Sequence, residues 1–326
     1  MAATGAQADD CHPLTLLTSV DLAHRPGDAH VFVPVTINGE KRFMLLDTGG
    51  SSTEVTTQAV ADLGLTTSRI RFSEVNLSGE ESHQAATVAN FAIGRLTTKS
   101  IDFVVAPEKY LYVDDPLYVG ILAPNILKNY DVDIDFGADK LSLISPDHCE
   151  GKVIYWQASA VAVVPMHVQP SGHIVIPVTL DGKDVKAVLD TGAYTTSLML
   201  PVAESRFGLT MGSPDTPRES HMMERPNAPT YQHTFASLSF GGVAVSNLKV
   251  AILPDFMKNK IGEPQLGSRL DQSGREGQPD LLIGMNVLRH LHVYIAYKEQ
   301  KLYITPASPM SLSAPPPAAP ASPPSH

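Results

Sequence analysis

Two short triplets hold the side chains best suited to chemistry, Asp47-Thr48-Gly49 and Asp190-Thr191-Gly192. Two carboxylates held close together cannot both ionise cheaply, so such a pair shares one proton. The ionised member can take a proton from a water molecule, and the protonated member can donate one to a carbonyl oxygen. If the fold brings Asp47 and Asp190 together, they would supply both the general base and the general acid for peptide hydrolysis. The hydroxyls of Thr48 and Thr191 could cross-link the two turns.

The segments that lead into the triplets repeat each other. Residues 30–49 and 173–192 align without a gap at an offset of 143 residues. Each segment predicts two strands joined by a tight turn, because Asn38-Gly39 and Asp181-Gly182 tolerate the positive φ of hairpin turns. Each Asp therefore follows an apolar strand, and the glycine two residues later permits a sharp turn.

The repeat continues through three later blocks that keep the same order in both halves. The matching pairs are residues 91–107 with 238–254, 121–127 with 282–288, and 140–143 with 301–304. Turn residues separate short β segments, and short helices are expected over 57–63 and 201–207, with second helices beginning at Asn125 and Asn286. This duplication predicts an all-β fold of two similar lobes that meet face to face.

The repeat and the composition divide the chain into five parts. These are an N-terminal extension over 1–29, a first lobe over 30–146, a linker over 147–164, a second lobe over 165–306 and a tail over 307–326. The tail is rich in Pro, Ala and Ser and is expected to be disordered, because it has almost no large apolar residue to bury. Residues 261–280 are polar and rich in Gly and Gln, which predicts an inserted loop.

The triplets and the blocks that follow them resemble those of the retropepsin–pepsin clan of aspartic proteases, and most of all bacterial single-chain retropepsin-like enzymes. The clan's pattern is Asp-Thr-Gly-(Ala/Ser), followed later in the same half by two apolar residues and Gly. Asp190-Thr191-Gly192-Ala193 and Leu282-Ile283-Gly284 match it fully. The first half departs from it at Gly50 and at Ala123, and the second half has the bulky Tyr194 where a small polar residue is common.

The resemblance implies an aspartic endopeptidase of two retropepsin-like lobes, related by a pseudo-two-fold axis, with a central cleft. Asp47 and Asp190 would be its catalytic residues, supported by Thr48, Gly49, Thr191 and Gly192. It implies no metal and no other cofactor, a protein or peptide substrate, and a flap hairpin with Gly79 near its tip. Because both triplets lie in one chain, a monomer would suffice.

Other interpretations remain open at this point. The chain could keep the fold and bind peptides without cutting them, as a catalytically weak or inactive regulatory protein. The two triplets could also be sharp Asx-type turns with no catalytic role. Met222, Met223 and Tyr231 could line substrate subsites or only cover the edge of the core.

Composition and cysteine content limit the cellular setting. The 326 residues carry a formal net charge of −10, and no basic stripe predicts nucleic-acid binding. No apolar run reaches the roughly 18 residues that a membrane-spanning helix needs. A disulfide between Cys11 and Cys149 would join the two ends of the first half, and would require an oxidising compartment; two unrelated thiols are the alternative. We expect a periplasmic or secreted protein without its signal peptide, with the cytoplasm as the alternative.

Three further patterns favour structural roles. Asp131, Asp133 and Asp135 alternate with apolar residues, which predicts that they share one face of a strand. His292 follows His290 after one residue, without a third metal ligand at a zinc-like spacing, and is expected to pack or lie on the surface. Trp156 is expected to pack the seam between the lobes.

Overall fold

The computed structural model describes residues 11–75, 81–106, 115–222, 225–254 and 279–307. It is mostly β, with 53% strand and 9% helix, so the predicted all-β class is confirmed. None of the helices within these ranges is long and apolar enough to cross a lipid bilayer. Gly79 at the predicted flap tip, Met223, residues 261–278 of the predicted loop and residues 308–326 of the predicted tail lie outside the described residues.

The first half contains ten strands and two short helices among its described residues. In chain order these are β1 (Leu16–Asp21), β2 (Phe32–Ile37), β3 (Glu40–Leu46), β4 (Glu54–Thr56), α1 (Thr57–Asp62), β5 (Thr66–Val75), β6 (Glu81–Ile93), β7 (Leu96–Ala106), β8 (Tyr118–Leu122), α2 (Pro124–Leu127), β9 (Asp131–Asp135) and β10 (Lys140–Ile144).

The second half repeats this order with one additional strand. Its elements are β11 (Ala162–Pro165), β12 (His167–Val168), β13 (Ile174–Leu180), β14 (Lys183–Leu189), β15 (Ser197–Met199), α3 (Leu200–Phe207), β16 (Arg218–Met222), β17 (Arg225–Phe240), β18 (Val243–Leu253), β19 (Leu281–Ile283), α4 (Met285–Leu288), β20 (Leu291–Ala296) and β21 (Lys301–Pro306).

Each lobe is built on one sheet, and the two sheets have equivalent topologies. The first runs β2-β3-β8-β4-β7-β6-β5, and the second runs β12-β13-β14-β19-β15-β18-β17-β16. In both lobes the strand that ends at the triplet pairs in parallel with the strand of the later apolar block, β3 with β8 and β14 with β19. The duplication predicted from sequence is therefore also a duplication of the fold.

A third sheet of six strands, in the order β1-β10-β9-β20-β21-β11, joins the lobes. Its two central strands, β9 and β20, are equivalent strands of the two halves and pair antiparallel. Two equivalent strands that pair in this way are related by a pseudo-two-fold axis between them. Residues of the predicted N-terminal extension form the edge strand β1, and residues of the predicted linker begin the opposite edge strand β11.

Tight turns fix the hairpins that lead into the triplets. Asn38 and Gly39 have φ values of 51° and 91°, and Asp181 and Gly182 have φ values of 43° and 74°. Two consecutive residues with positive φ form the turn whose twist matches that of the strands on either side. The side chains of β13 then alternate between the core and the outside, so the register of this hairpin is determined.

The joining sheet carries buried ionisable side chains. The Oδ2 of Asp131 lies 2.6 Å from Nε2 of His148, and the Oδ1 of Asp133 lies 2.6 Å from Nε2 of His292. The ring of Trp156 stacks on His292 with 4.1 Å between ring centroids. Each of these two buried carboxyl groups therefore has a histidine partner.

Candidate active site

The two predicted catalytic residues lie at the ends of equivalent strands. Asp47 follows β3 and its backbone N–H donates to Leu122 O at 3.0 Å; Asp190 follows β14 and its N–H donates to Ile283 O at 3.0 Å. Within each turn the carboxylate accepts a hydrogen bond from the backbone N–H two residues later, at 2.9 Å in both lobes. The sheet register therefore aims both carboxyl groups in the same way.

The fold brings the two carboxyl groups together, and they share a hydrogen bond. Each carboxyl also lies over the glycine of the opposite triplet. A Cβ atom at Gly49 would be 2.3 Å from Cγ of Asp190, and a Cβ atom at Gly192 would be 2.5 Å from Oδ1 of Asp47. Only glycine leaves enough space for this arrangement.

The two threonines of the triplets cross-link the lobes reciprocally. The backbone N–H of Thr48 donates to Oγ1 of Thr191 at 3.0 Å, and that of Thr191 donates to Oγ1 of Thr48 at 3.1 Å. Each hydroxyl in turn donates across the interface, Thr48 to Leu189 O at 2.8 Å and Thr191 to Leu46 O at 2.6 Å. Four buried hydrogen bonds thus hold the turns, and with them the two carboxyl groups, in one geometry.

A second pair of contacts, not predicted from the sequence, supports each triplet. In the first lobe the Oγ1 of Thr53 donates to Oδ1 of Asn125 at 2.7 Å and accepts from the backbone N–H of Ala123 at 3.0 Å. Thr196 and Asn286 make the equivalent 2.7 Å contact in the second lobe. The recurrence of both residue types in the aligned halves was the available signal.

The structure explains why the first half departs from the clan's pattern at two positions. A Cβ atom at Gly50 would lie 3.4 Å from Cβ of Ala123, so these two residues are neighbours. In the second half a Cβ atom at Gly284 would lie only 2.8 Å from the backbone O of Ala193. In the first lobe the glycine is residue 50 and the methyl group belongs to Ala123. In the second lobe the methyl group belongs to Ala193 and the glycine is residue 284. Ala123 is fully buried, so the first lobe is packed beneath its triplet.

Burial dominates the electrostatics of the pair. It raises the pKa of Asp47, against the hydrogen bonds from Gly49 and Gly50, the hydrogen bond from Asp190 and the charge of His30, which all lower it. Burial also raises the pKa of Asp190, well above its usual range, and the negative charge of Asp47 raises it further. Two carboxyl groups held together in this way favour one ionised and one neutral member.

The remaining predicted residues occupy different surroundings. Cys11 and Cys149 form a disulfide with a Cα–Cα distance of 4.8 Å. Tyr194 is 55% exposed beside the second triplet, and its ring meets that of His30 edge-on at 5.8 Å. Tyr231 packs against the hydrophobic core.

Two segments of the chain, residues 33–125 and 176–287, match the sequence pattern of the aspartyl protease family. Together they make up more than half of the 326 residues, and each contains one of the triplets. The chain belongs to the aspartyl protease family. The resemblance to retropepsin-like and pepsin-like aspartic proteases that the sequence predicted is therefore confirmed. A comparison of the sequence with curated proteins found no match.

Several solved structures are similar to the chain. Basic 7S globulin from soybean is 10% identical and has a TM-score of 0.50, with 93% of this chain and 99% of that one covered. A retropepsin-like aspartic protease from Rickettsia conorii is 18% identical, with a TM-score of 0.32, and covers 46% of this chain and 95% of its own. An aspartic proteinase from Irpex lacteus is 14% identical, with a TM-score of 0.48, and covers 90% of this chain and 98% of its own. The likeness to the soybean protein supports the two-lobed fold.

Proposed function

We propose that this aspartyl protease family member is an active endopeptidase in which Asp47 and Asp190 activate one water molecule. The observation that carries the proposal is the contact between two buried carboxyl groups, each with a raised pKa. One ionised and one neutral carboxyl group can act together as base and acid.

The proposed reaction needs no covalent intermediate. The ionised carboxylate removes a proton from water as the oxygen attacks the carbonyl carbon of the peptide bond. The neutral carboxyl group donates its proton to the carbonyl oxygen. Collapse of the tetrahedral intermediate breaks the C–N bond, and a proton passes to the leaving amine. The threonine cross-link supports this chemistry because it fixes both carboxyl groups before the substrate binds.

Three further proposals concern the setting. One chain contributes both catalytic residues, so a monomer would be sufficient. The lobes would be residues 30–146 and 165–306, and the disulfide would join the segments on either side of the first lobe. The Cys11–Cys149 bond favours an oxidising compartment, such as the periplasm or the extracellular space.

Digestion of denatured casein in H₂¹⁸O between pH 3 and pH 8, with and without pepstatin, tests the proposal. We expect cleavage that pepstatin inhibits, and one ¹⁸O atom in each new carboxyl terminus. Denaturing mass spectrometry of the enzyme should show no acyl adduct. A folded protein that binds pepstatin but cuts casein and a mixed peptide library at no pH would instead support the peptide-binding alternative.

A further inference from the structure

Two histidines stand at the same position of the repeat, and each reaches across to the triplet of the other lobe. His30 precedes β2, and its Nε2 lies 3.1 Å from the backbone oxygen of Gly192. His173 precedes β13, and its ring faces the backbone of Gly49 and Gly50. The histidines therefore flank the catalytic pair from opposite sides.

The first histidine uses both ring nitrogens in hydrogen bonds. The Nδ1 of His30 lies 2.6 Å from Oδ1 of Asp28, and the backbone N–H of His30 donates to the same oxygen at 2.9 Å. A carbonyl oxygen can only accept, so Nε2 must carry a proton to bond Gly192 O. Nδ1 is at hydrogen-bond distance from the carboxyl group of Asp28, so both ring nitrogens have a partner. The side chains of His30 and Asp28 are only 11% and 13% exposed, which strengthens the pair.

The second histidine has no such partner. Ser171 occupies the position equivalent to Asp28, and its Oγ accepts the backbone N–H of His173 at 3.5 Å. Within the described part of the chain, the buried Nε2 of His173 has no hydrogen-bond partner. Burial lowers the pKa of His173 more than the carbonyl groups of Gly49 and Gly50 raise it, so its ring is neutral near pH 7. Among the described residues, the nearly symmetric site thus has a histidine–aspartate pair on one side and a histidine without a carboxylate partner on the other.

We propose that the Asp28–His30 ion pair is a positioning pair that holds the negative charge of the catalytic dyad on Asp47 and leaves the shared proton on Asp190. This inference rests on the proposed function, because it assigns the general base to Asp47 and the general acid to Asp190.

The electrostatics around the dyad have the sign that the assignment requires. Burial raises the pKa of Asp47, and the hydrogen bonds from Gly49, Gly50 and Asp190, followed by the charge of His30, lower it. The charge of Asp47 and the same hydrogen bond both raise the pKa of Asp190. Among the described residues, the ionisable groups that face His30 include Asp28 on its own segment, Asp47 at the end of β3 and Tyr194 after β14.

Carboxyl ¹³C NMR of the full chain, labelled at aspartate and titrated from pH 3 to pH 8, tests this assignment. The Asp47 and Asp190 signals are identified by their loss in the Asp47→Asn and Asp190→Asn variants. In His30→Gln the amide can still donate to Gly192 O, but the charge is gone. The titration midpoint of Asp47 should then rise by about one pH unit. Asp28→Asn should move the Asp47 midpoint in the same direction. This second variant keeps the test valid if His30→Gln fails to fold.

The matched control is His24→Gln, which breaks a histidine–aspartate pair of 2.7 Å on the exposed surface. It should leave both carboxyl midpoints unchanged. The proposal is overturned if Asp47 titrates alike in His30→Gln and His24→Gln, or if Asp190 ionises before Asp47 in the wild type. The signals do not depend on turnover. A moved midpoint in a protein that cuts nothing refutes only the proposed function, and an unmoved midpoint in an active protease refutes only this assignment.

Discussion

Removing one hydroxyl from the cross-link between the lobes should cost much more stability than removing one methyl group from the same residue. Thr48→Val deletes the hydroxyl and keeps the branched shape. Two hydrogen bonds disappear, the donation to Leu189 O and the acceptance from Thr191 N–H. Thr48 is 1% exposed and Thr191 is 2% exposed, so water cannot replace the lost partners.

The magnitude follows from the two buried groups that lose a partner. Each unsatisfied donor or acceptor costs about 1–3 kcal/mol, so the free energy of unfolding should fall by about 2–6 kcal/mol in Thr48→Val. Thr48→Ser keeps the hydroxyl and removes one methyl group, which should cost about 1 kcal/mol.

Guanidinium chloride unfolding of the wild type and both variants measures the difference. The midpoint should fall far more in Thr48→Val than in Thr48→Ser. The lobes should also separate more readily, so the Thr48→Val transition should become broader or split in two. Equal midpoints for the two variants would show that the reciprocal bonds do not hold the lobes together.

Three further predictions follow from the site and its surroundings. Asp190→Asn should be more stable than the wild type at pH 7 and equally stable near pH 3, as measured by thermal unfolding. The pKa of Asp190 is raised in the folded state. Its contribution to stability is therefore present below its pKa in the unfolded chain and is lost as pH rises through its pKa in the folded protein, at about 1.4 kcal/mol per pH unit. An Asp190→Asn variant that is less stable than the wild type at pH 7 contradicts this prediction. Gly49→Ala should lower kcat about a hundredfold, because its Cβ would displace the Asp190 carboxyl group, whereas Gly50→Ala, whose Cβ would meet no atom closer than 3.0 Å, should retain more activity. Reduction of the Cys11–Cys149 bond, which closes a separation of 138 residues, should lower the free energy of unfolding by about 3–5 kcal/mol, and an unchanged unfolding midpoint in reductant would argue against it.

Much of the fold was predictable because the chain repeats itself. The two hairpin turns, the apolar strands and the position of each triplet recur in register, so one half checks the other. The antiparallel pairing of β9 with β20 was not predictable, because a strand pattern does not specify its partner. The alternation of Asp131, Asp133 and Asp135 indicated a shared strand face but did not indicate the histidines that pair with Asp131 and Asp133.

The site itself was only partly predictable. Asp47 and Asp190 are marked by their triplets, but Thr53 and Asn125 are 72 residues apart in sequence and meet only in the fold. The exchange between Gly50 and Ala123 looks like two separate departures until their proximity is known. The role proposed for Asp28 was not predictable from the sequence either. Its effect on Asp47 passes through His30 and through the packing of one lobe against the other.

The most direct test of the central claim is the cleavage rate of Asp47→Asn and Asp190→Asn, measured on one peptide substrate beside Asp139→Asn, an aspartate variant on the exposed surface. Loss of either member of an acid–base pair should lower kcat by about a thousandfold, with the fold intact by circular dichroism, while Asp139→Asn stays at the wild-type rate. A folded Asp47→Asn or Asp190→Asn enzyme that keeps more than about a tenth of the wild-type rate would contradict a mechanism in which the two carboxyl groups share one proton.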